Sequence, residues 1–279
     1  MTPDNDADCT VRWSLGEVTP PADPPTVEAE IWSTWLRSDE ELTVFFRGVN
    51  RIPYLSARID REFRDAEVKR EDRDLLDGRI DVGRYPLSEF MACRLLSRRG
   101  AVELHASSVI IDRLAYVFVG DSGAGKTTLS RLAEAAGAIV LSDDRTILAV
   151  RQKGVLAWGT PWHGTGRQSS SGSARVRGIF LIEQDSRNRV EPAMETSRAL
   201  KELFVRLIQP RVRVDEVNSA LDSLIGIQAA IPLRRFRFRA ERSAFDELMD
   251  SLSDDDRTAS ARDGSRHGPD IAPIRANAT

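Results

Sequence analysis

One run of nine residues, Gly120-Asp121-Ser122-Gly123-Ala124-Gly125-Lys126-Thr127-Thr128, constrains this chain more than any other. It matches the pattern G-x-x-x-x-G-K-[ST] at every fixed position, and its surroundings are what the pattern needs. The apolar run Leu114 to Val119 leads in as a buried strand. Thr127 to Ala136 follows as a helix, with Leu129, Leu132, Ala133 and Ala136 on one face and Gly137 as its stop. Glycines let the backbone curl so that several N–H groups converge on an anion, and the helix N-terminus adds partial positive charge. Lys126 is then expected on the outer phosphates, and the Thr127 hydroxyl on Mg2+. The pattern implies a nucleoside triphosphate or a related phosphate, with Gly120 to Thr128 as its cradle.

The chain has 279 residues, 41% hydrophobic and 30% charged, with a net charge of -3. That balance points to neither a nucleic-acid surface nor an anionic membrane. The lysines are Lys69, Lys126, Lys153 and Lys201, so Lys126 stands out in a chain that otherwise uses arginine. Cys9 and Cys93 lie far apart and make no disulfide framework or metal-ligand spacing. The acidic N-terminus is no signal peptide, and no apolar run reaches the roughly 18 residues of a membrane span. A reducing, cytoplasmic setting is the expectation.

Composition divides the chain into four. Residues 1–26 are acidic and proline-rich and read as a disordered lead-in. Residues 27–100 read as a small β-rich module: strands at Leu42 to Phe46 and Tyr54 to Ile59, surface loops or hairpins through Arg61 to Asp77, and a closing helix from Leu87 to Arg98. Pro86 opens that helix and Gly100 caps it. Residues 101–252 form the P-loop domain, and 253–279 a disordered tail.

Within the third part, Val102 to Ile111 and the P-loop strand form a hairpin turning at Asp112-Arg113. Ala138 to Leu141 is a strand ending in Ser142-Asp143-Asp144. A second hairpin joins Thr146–Val150 to Val155–Trp158, turning at Gln152-Lys153-Gly154. Gly178 to Glu183 is a buried strand, Met194 to Ile208 an amphipathic helix broken by Pro210, Pro232 to Phe238 a strand, and Ala244 to Leu252 a last helix.

Phosphoryl transfer asks for positioning, charge neutralisation, Mg2+ and a carboxylate for the incoming hydroxyl. Asp143 and Asp144 stand at the C-terminal end of the strand next in sequence, the end where α/β sheets place their sites. If that strand neighbours the P-loop strand, the pair reaches the phosphates. Alternation sends the two side chains to opposite faces, so one suits Mg2+, with Asp144 taken for that role, and the other the acceptor's proton. His105, on the opposite arm of the hairpin, is a candidate for stabilising charge or sharing that proton. Glu183, Trp158, Trp162 and His163 are further candidates for the pocket, Arg167, Arg206, Arg211 and Arg213 for anion contacts, and residues 165–174 for a lid.

The succession Leu104-His105-Ala106-Ser107, hairpin, P-loop, helix, Leu141-Ser142-Asp143-Asp144-Arg145 resembles the catalytic domain of HPr kinase/phosphorylase. More broadly it is similar to the phosphoenolpyruvate carboxykinase-type P-loop fold. The fold this implies is an α/β P-loop sheet with β-hairpins, residues 101–252 being the kinase domain, plus the small β-rich N-terminal module. The resemblance implies ATP and Mg2+ as cofactors. Lys126 and Thr127 would act on the phosphates and metal, and Asp143 with Asp144 and His105 would lie at the acceptor. Stand-alone relatives of this type accompany peptide-modification clusters, lasso-peptide clusters among them, which implies a serine in a peptide or small protein as acceptor. Oligomers in the family make a homo-oligomer an expectation. Thr127-Thr128 replaces the family's usual Ser-Glu, and no phosphorylase signature is found, so reversal by phosphorolysis is not expected. Two other readings stand beside this one. A small-molecule kinase of the shikimate or gluconate kinase type lacks the hairpin ahead of the P-loop. A non-catalytic nucleotide-binding regulator needs no Asp-Asp pair.

Overall fold

A computed structural model describes residues 9–38, 41–48, 50–71, 85–162, 164, 169–209 and 212–263, with the side chains of 254–263 left aside. Several expectations lie outside these residues. They are the first eight residues of the lead-in, residues 72–77 of the charged run, His163, residues 165–168 of the expected lid with Arg167 among them, Pro210, Arg211, and the tail from 264.

In chain order the elements of the N-terminal part are β1 (Thr10–Leu15), β2 (Val27–Glu28), β3 (Trp32–Leu36), β4 (Glu41–Arg47), β5 (Pro53–Asp60), β6 (Asp65–Arg70) and α1 (Leu87–Arg98). The six strands form one sheet in the order β1-β6-β5-β4-β3-β2. Alternating side chains of the central strands (Leu42, Val44 and Phe46; Leu55, Ala57 and Ile59) build its core, and Leu87, Phe90 and Met91 of α1 cover it. Phe90 meets Trp32 and Phe46 edge-on, at 5.6 and 5.7 Å between ring centres. Residues 9–26 are a correction to the expected disordered lead-in. β1 pairs in parallel with β6, and Val18 is buried with Trp35 and Phe45. The proline-rich composition hid a backbone pairing and one apolar contact. β6 likewise falls in a run expected to be surface hairpin or loop; its buried Ala66 and Val68 alternate with charged residues.

The second part runs β7 (Ala101–Ile111), β8 (Leu114–Val119), α2 (Lys126–Ala135), β9 (Ile139–Ser142), β10 (Arg145–Arg151), β11 (Gly154–Trp158), β12 (Ser173–Gln184), β13 (Arg189–Ala193), α3 (Thr196–Phe204), α4 (Val214–Ala230), β14 (Leu233–Phe238) and α5 (Ser243–Asp263). Its sheet has the order β11-β10-β7-β8-β12-β14-β13, with β9 also paired to β7. The β7–β8 hairpin forms as the sequence predicts. Asp112 and Arg113 carry its turn at φ +49° and +66°, the double left-handed geometry that matches strand twist. β8, β12 and β14 run parallel to one another. Ala115 to Val119 are all buried, as a strand covered on both faces requires.

Helices cover the two faces. Leu203 of α3 and Ala220, Leu224 and Ile227 of α4 pack on Leu104, Val117 and Val119, while Leu129 of α2 and Leu248 of α5 pack on Phe118, Phe180 and Phe236. The structure shortens the expected helix at 194–208 to α3, with the Glu195 carboxylate capping the N–H groups of Ser197 and Arg198. It adds α4 and β13, which the sequence reading passed over, and continues α5 into the residues expected as tail. Among the described residues no helix is long and apolar enough to cross a membrane.

α1 joins the two parts. Arg94 is 1% exposed, lies 4.2 Å over the Phe63 ring, and pairs with the buried Glu216 of α4 through Nε at 3.0 Å and through Nη2. Cys93 Sγ donates at 2.9 Å to the buried Glu103 of β7. Burial pushes Glu103 up to about 8, with the Cys93 hydrogen bond and Arg145 opposing and Glu89 and Asp144 assisting.

Two outcomes follow for stability. Arg94→Ala leaves a buried anion without its cation and should cost about 3–5 kcal/mol in denaturant unfolding, most of it recovered in Arg94→Met with Glu216→Leu. A carboxyl bound more tightly to its proton in the folded state stabilises fully below its unfolded value. That stability is lost as pH rises toward the folded value of about 8. Unfolding free energy should therefore fall between about pH 5 and 8, by up to about 1.4 kcal/mol per pH unit. Glu103→Gln should flatten that decline.

Candidate active site

β8 delivers the chain into the P-loop at Val119, and α2 starts at Lys126. Gly123 and Gly125 take φ +81° and +105°, where side chains are strained. A Cβ on Gly125 would also stand 2.6 Å from Cζ of Phe238, so β14 closes against the loop only because that position is glycine. No side chain caps α2, and its first turn carries no acid, so its N-terminal N–H groups and dipole face the loop uncontested. Lys126 Nζ donates to the carbonyls of Gly120 (2.8 Å) and Asp121 (3.1 Å). Asp121, Ser122 and Gly123 are exposed, while Ala124, Thr127 and Thr128 are half-buried.

The condition that β9 be the neighbour of the P-loop strand is not met. β9 pairs antiparallel with β7, which occupies the place beside β8 because the hairpin is there already. The Asp-Asp strand is therefore one strand further out, and β7 supplies the side chain in between. Ala106 pairs with Val119, so His105 stands next to the start of the P-loop. On its other side His105 pairs with Arg145, and the Ala106 N–H donates to the Asp144 carbonyl at 2.9 Å.

Asp143 and Asp144 have different surroundings, as alternation requires. Asp143 is 2% exposed; its Oδ1 accepts from the Gly164 N–H at 3.0 Å, and its Oδ2 has no partner among the described residues. Gly164 is glycine because a Cβ there would sit 2.9 Å from that of Asp144. Asp144 is only partly buried. Its Oδ1 lies 3.3 Å from Nδ1 of His105, and its Oδ2 pairs with the Arg145 guanidinium. The Ser142 hydroxyl accepts from the N–H groups of Asp144 (3.4 Å) and Arg145 (3.1 Å), fixing the turn that presents the carboxylate.

Burial lowers the pKa of His105, and Lys126 lowers it further, while Asp144 pulls the other way. Lys126 is lowered by burial, with Asp144 opposing and Arg206 adding to the effect. His105, Lys126 and Asp144 thus feel one another at one end of the sheet.

The remaining candidates separate clearly. Arg206, just after α3, reaches the P-loop: its guanidinium donates to Asp121 Oδ1 at 2.6 Å and Glu202 Oε2 at 2.7 Å. Arg213 is buried at the joint with the N-terminal part, 3.5 Å from the Ser38 carbonyl. Glu183 is tied to Arg235 and Arg237 of β14, at 2.8 and 3.5 Å. Trp162 Nε1 donates to Ser88 Oγ at 3.0 Å, stitching its loop to α1, and Trp158 packs with Arg151 at 5.7 Å. Three residues at the site were not singled out from sequence. Gln184 donates to the Gly123 carbonyl at 3.4 Å, and Glu89 of α1 pairs with Arg145, which also faces the Tyr85 ring at 5.9 Å. Arg145 follows the Asp-Asp pair directly and was legible by position. Glu89 lies on another element and had no local signal.

No family model matches the chain, and no curated protein matches it in sequence. Among solved structures it is similar to the Hpr(Ser) kinase/phosphatase from Coxiella burnetii, at 13% identity and a TM-score of 0.31. That likeness covers 57% of this chain and 98% of the other. At that identity and score it carries no weight beside the geometry of the site itself.

Proposed function

We propose that this protein is an ATP- and Mg2+-dependent kinase that phosphorylates a serine hydroxyl of a peptide or small protein, in the cytoplasm. The observation that carries this reading is the Asp144–His105 pair set directly beside a phosphate-binding loop. A protein that only held a nucleotide would have no use for a proton-accepting pair at that point.

The loop amides, the α2 N-terminus and Lys126 would hold the β- and γ-phosphates, and Arg206, poised on Asp121, would neutralise charge spreading over the transferred group. Mg2+ would suit the donors present: the half-buried Thr127 hydroxyl and the buried, unpartnered Oδ2 of Asp143. Among the described residues no cluster of three or more His, Cys, Asp or Glu could hold a metal. Asp144 was the metal carboxylate expected from sequence, but both its oxygens are engaged by His105 and Arg145, which suits it to the proton instead. In the transfer the serine oxygen bonds to the γ-phosphorus as the bond to the β-phosphate oxygen breaks. The serine proton passes to the Asp144–His105 pair. A serine in a peptide is the acceptor that follows from the resemblance of residues 102–162 to HPr kinase.

The direct test gives purified protein ATP, Mg2+ and the peptides encoded beside its gene, and looks for phosphoserine by mass spectrometry. Asp144→Asn should lower transfer by about 100-fold or more while leaving nucleotide affinity nearly unchanged. Nucleotide bound or hydrolysed with no acceptor phosphorylated would defeat the reading. The pH profile offers a further check. His105 is held below its ordinary value by burial and Lys126, so its neutral, proton-accepting form should persist below about pH 6.5. The acid limb of kcat/KM should accordingly fall below that pH, and His105→Gln should remove it.

A further inference from the structure

We propose that Glu89, in the first turn of α1, is a positioning residue of the phosphoryl-transfer site, acting on Asp144 through the Arg145 guanidinium. The proposal rests on the reading that Asp144 serves transfer. It assigns part of the site to the N-terminal β-rich part, which the P-loop motif does not touch.

The argument is one of divided hydrogen bonds. Arg145 gives Nε to Glu89 and Nη1 to Asp144 Oδ2. A guanidinium facing a lone carboxylate takes both oxygens in a fork. Here Glu89 holds the guanidinium at Nε and so sets its orientation; Nη1 bonds to Asp144 Oδ2, and Oδ1 stays turned to His105. The three side chains are only 13–19% exposed, so solvent screens this chain of charges little. Burial pushes the Glu89 carboxyl up and Arg145 draws it back. Burial disfavours the Arg145 cation, and Glu89 with Asp144 outweighs it. Glu89 stands where a helix N-terminus favours an acid. Its neighbour Ser88 accepts from Trp162, so the first turn of α1 also pins the loop leading to Gly164 and Asp143.

Two measurements decide it. Steady-state transfer by Glu89→Gln should show kcat reduced by about 10- to 100-fold, with affinity for a non-hydrolysable ATP analogue unchanged. In an Arg145→Met background, or Arg145→Gln should that variant not fold, Glu89→Gln should have no further effect. Equal losses in both backgrounds, or no loss at all, overturn the proposal. The second measurement is a crystal structure of Glu89→Gln, in which Asp144 should have closed onto Arg145 with both oxygens and left His105. An Asp144–His105 contact kept in place overturns the proposal whether or not a phosphate acceptor has been found. Absence of transfer by the unaltered protein counts against the kinase reading alone.

Discussion

The arrangement of this molecule depends on α1 having two working faces. Leu87, Phe90 and Met91 belong to the core of the first sheet. Glu89, Cys93 and Ser97 recur every four residues on another side, and each bonds to the second part: Glu89 to Arg145, Cys93 to Glu103, and the Ser97 carbonyl to Ser219. Between them Arg94 buries its charge against Glu216 and stacks on Phe63. Apolar residues of the same size would hold the two parts at least as strongly, since desolvating an ion pair offsets most of its attraction. What ions and hydrogen bonds add is registry. They fix α1 in rotation and height, and so fix where its first turn meets the P-loop sheet.

Charge explains why the cluster at the sheet end reads as a place for an anion. Lys126, Arg145 and Arg206 crowd a half-buried space, and His105 and Lys126 both lose proton affinity there. Burial disfavours the charged form of any basic group, the ion-paired Arg94 included, whereas the exposed Arg58 and Arg237 are raised by their carboxylates. Lys126 donates its hydrogen bonds to carbonyls of the loop itself. Arg145 and Arg206, by contrast, have carboxylate partners there. A lysine whose proton affinity is lowered chiefly by burial is a common mark of a functional site.

The core of this site was legible because its signals are local. The P-loop, the hairpin ahead of it and the Asp-Asp turn each occupy fewer than about 25 consecutive residues, within which periodicity and turn chemistry decide conformation. α4 was passed over although Ala220, Leu224 and Ile227 fall at helical spacing behind Asp215 and Glu216, since Gly226 and the arginines before it suggest a loop. β1 was lost to composition, because proline-rich and acidic stretches are judged by their average and not by Val18. Glu89 and Gln184 were illegible in a stronger sense, and Arg206 was named only as one of four arginines with no way to choose among them. Their roles come from which elements pack together, and no window of sequence holds both partners.

The topology turns one apparent obstacle into the reason the candidate residues lie together. Had β9 lain directly beside β8, the Asp-Asp turn would face the P-loop with nothing between them. The hairpin fills that place with β7, antiparallel to both, and at the level where β8 opens into the loop β7 presents His105. An antiparallel strand in this position runs against its neighbours, so the residue opposite the end of β8 comes at the middle of β7, where backbone pairing on both sides holds it firmly. His105 is paired through its backbone to Arg145 and flanked by the Ala106–Val119 pair, leaving its ring little freedom except toward Asp144. A histidine on a loop could reach the same place only by losing conformational entropy. Here the sheet has already fixed it, and the hairpin is what makes Asp144 and the P-loop one site instead of two.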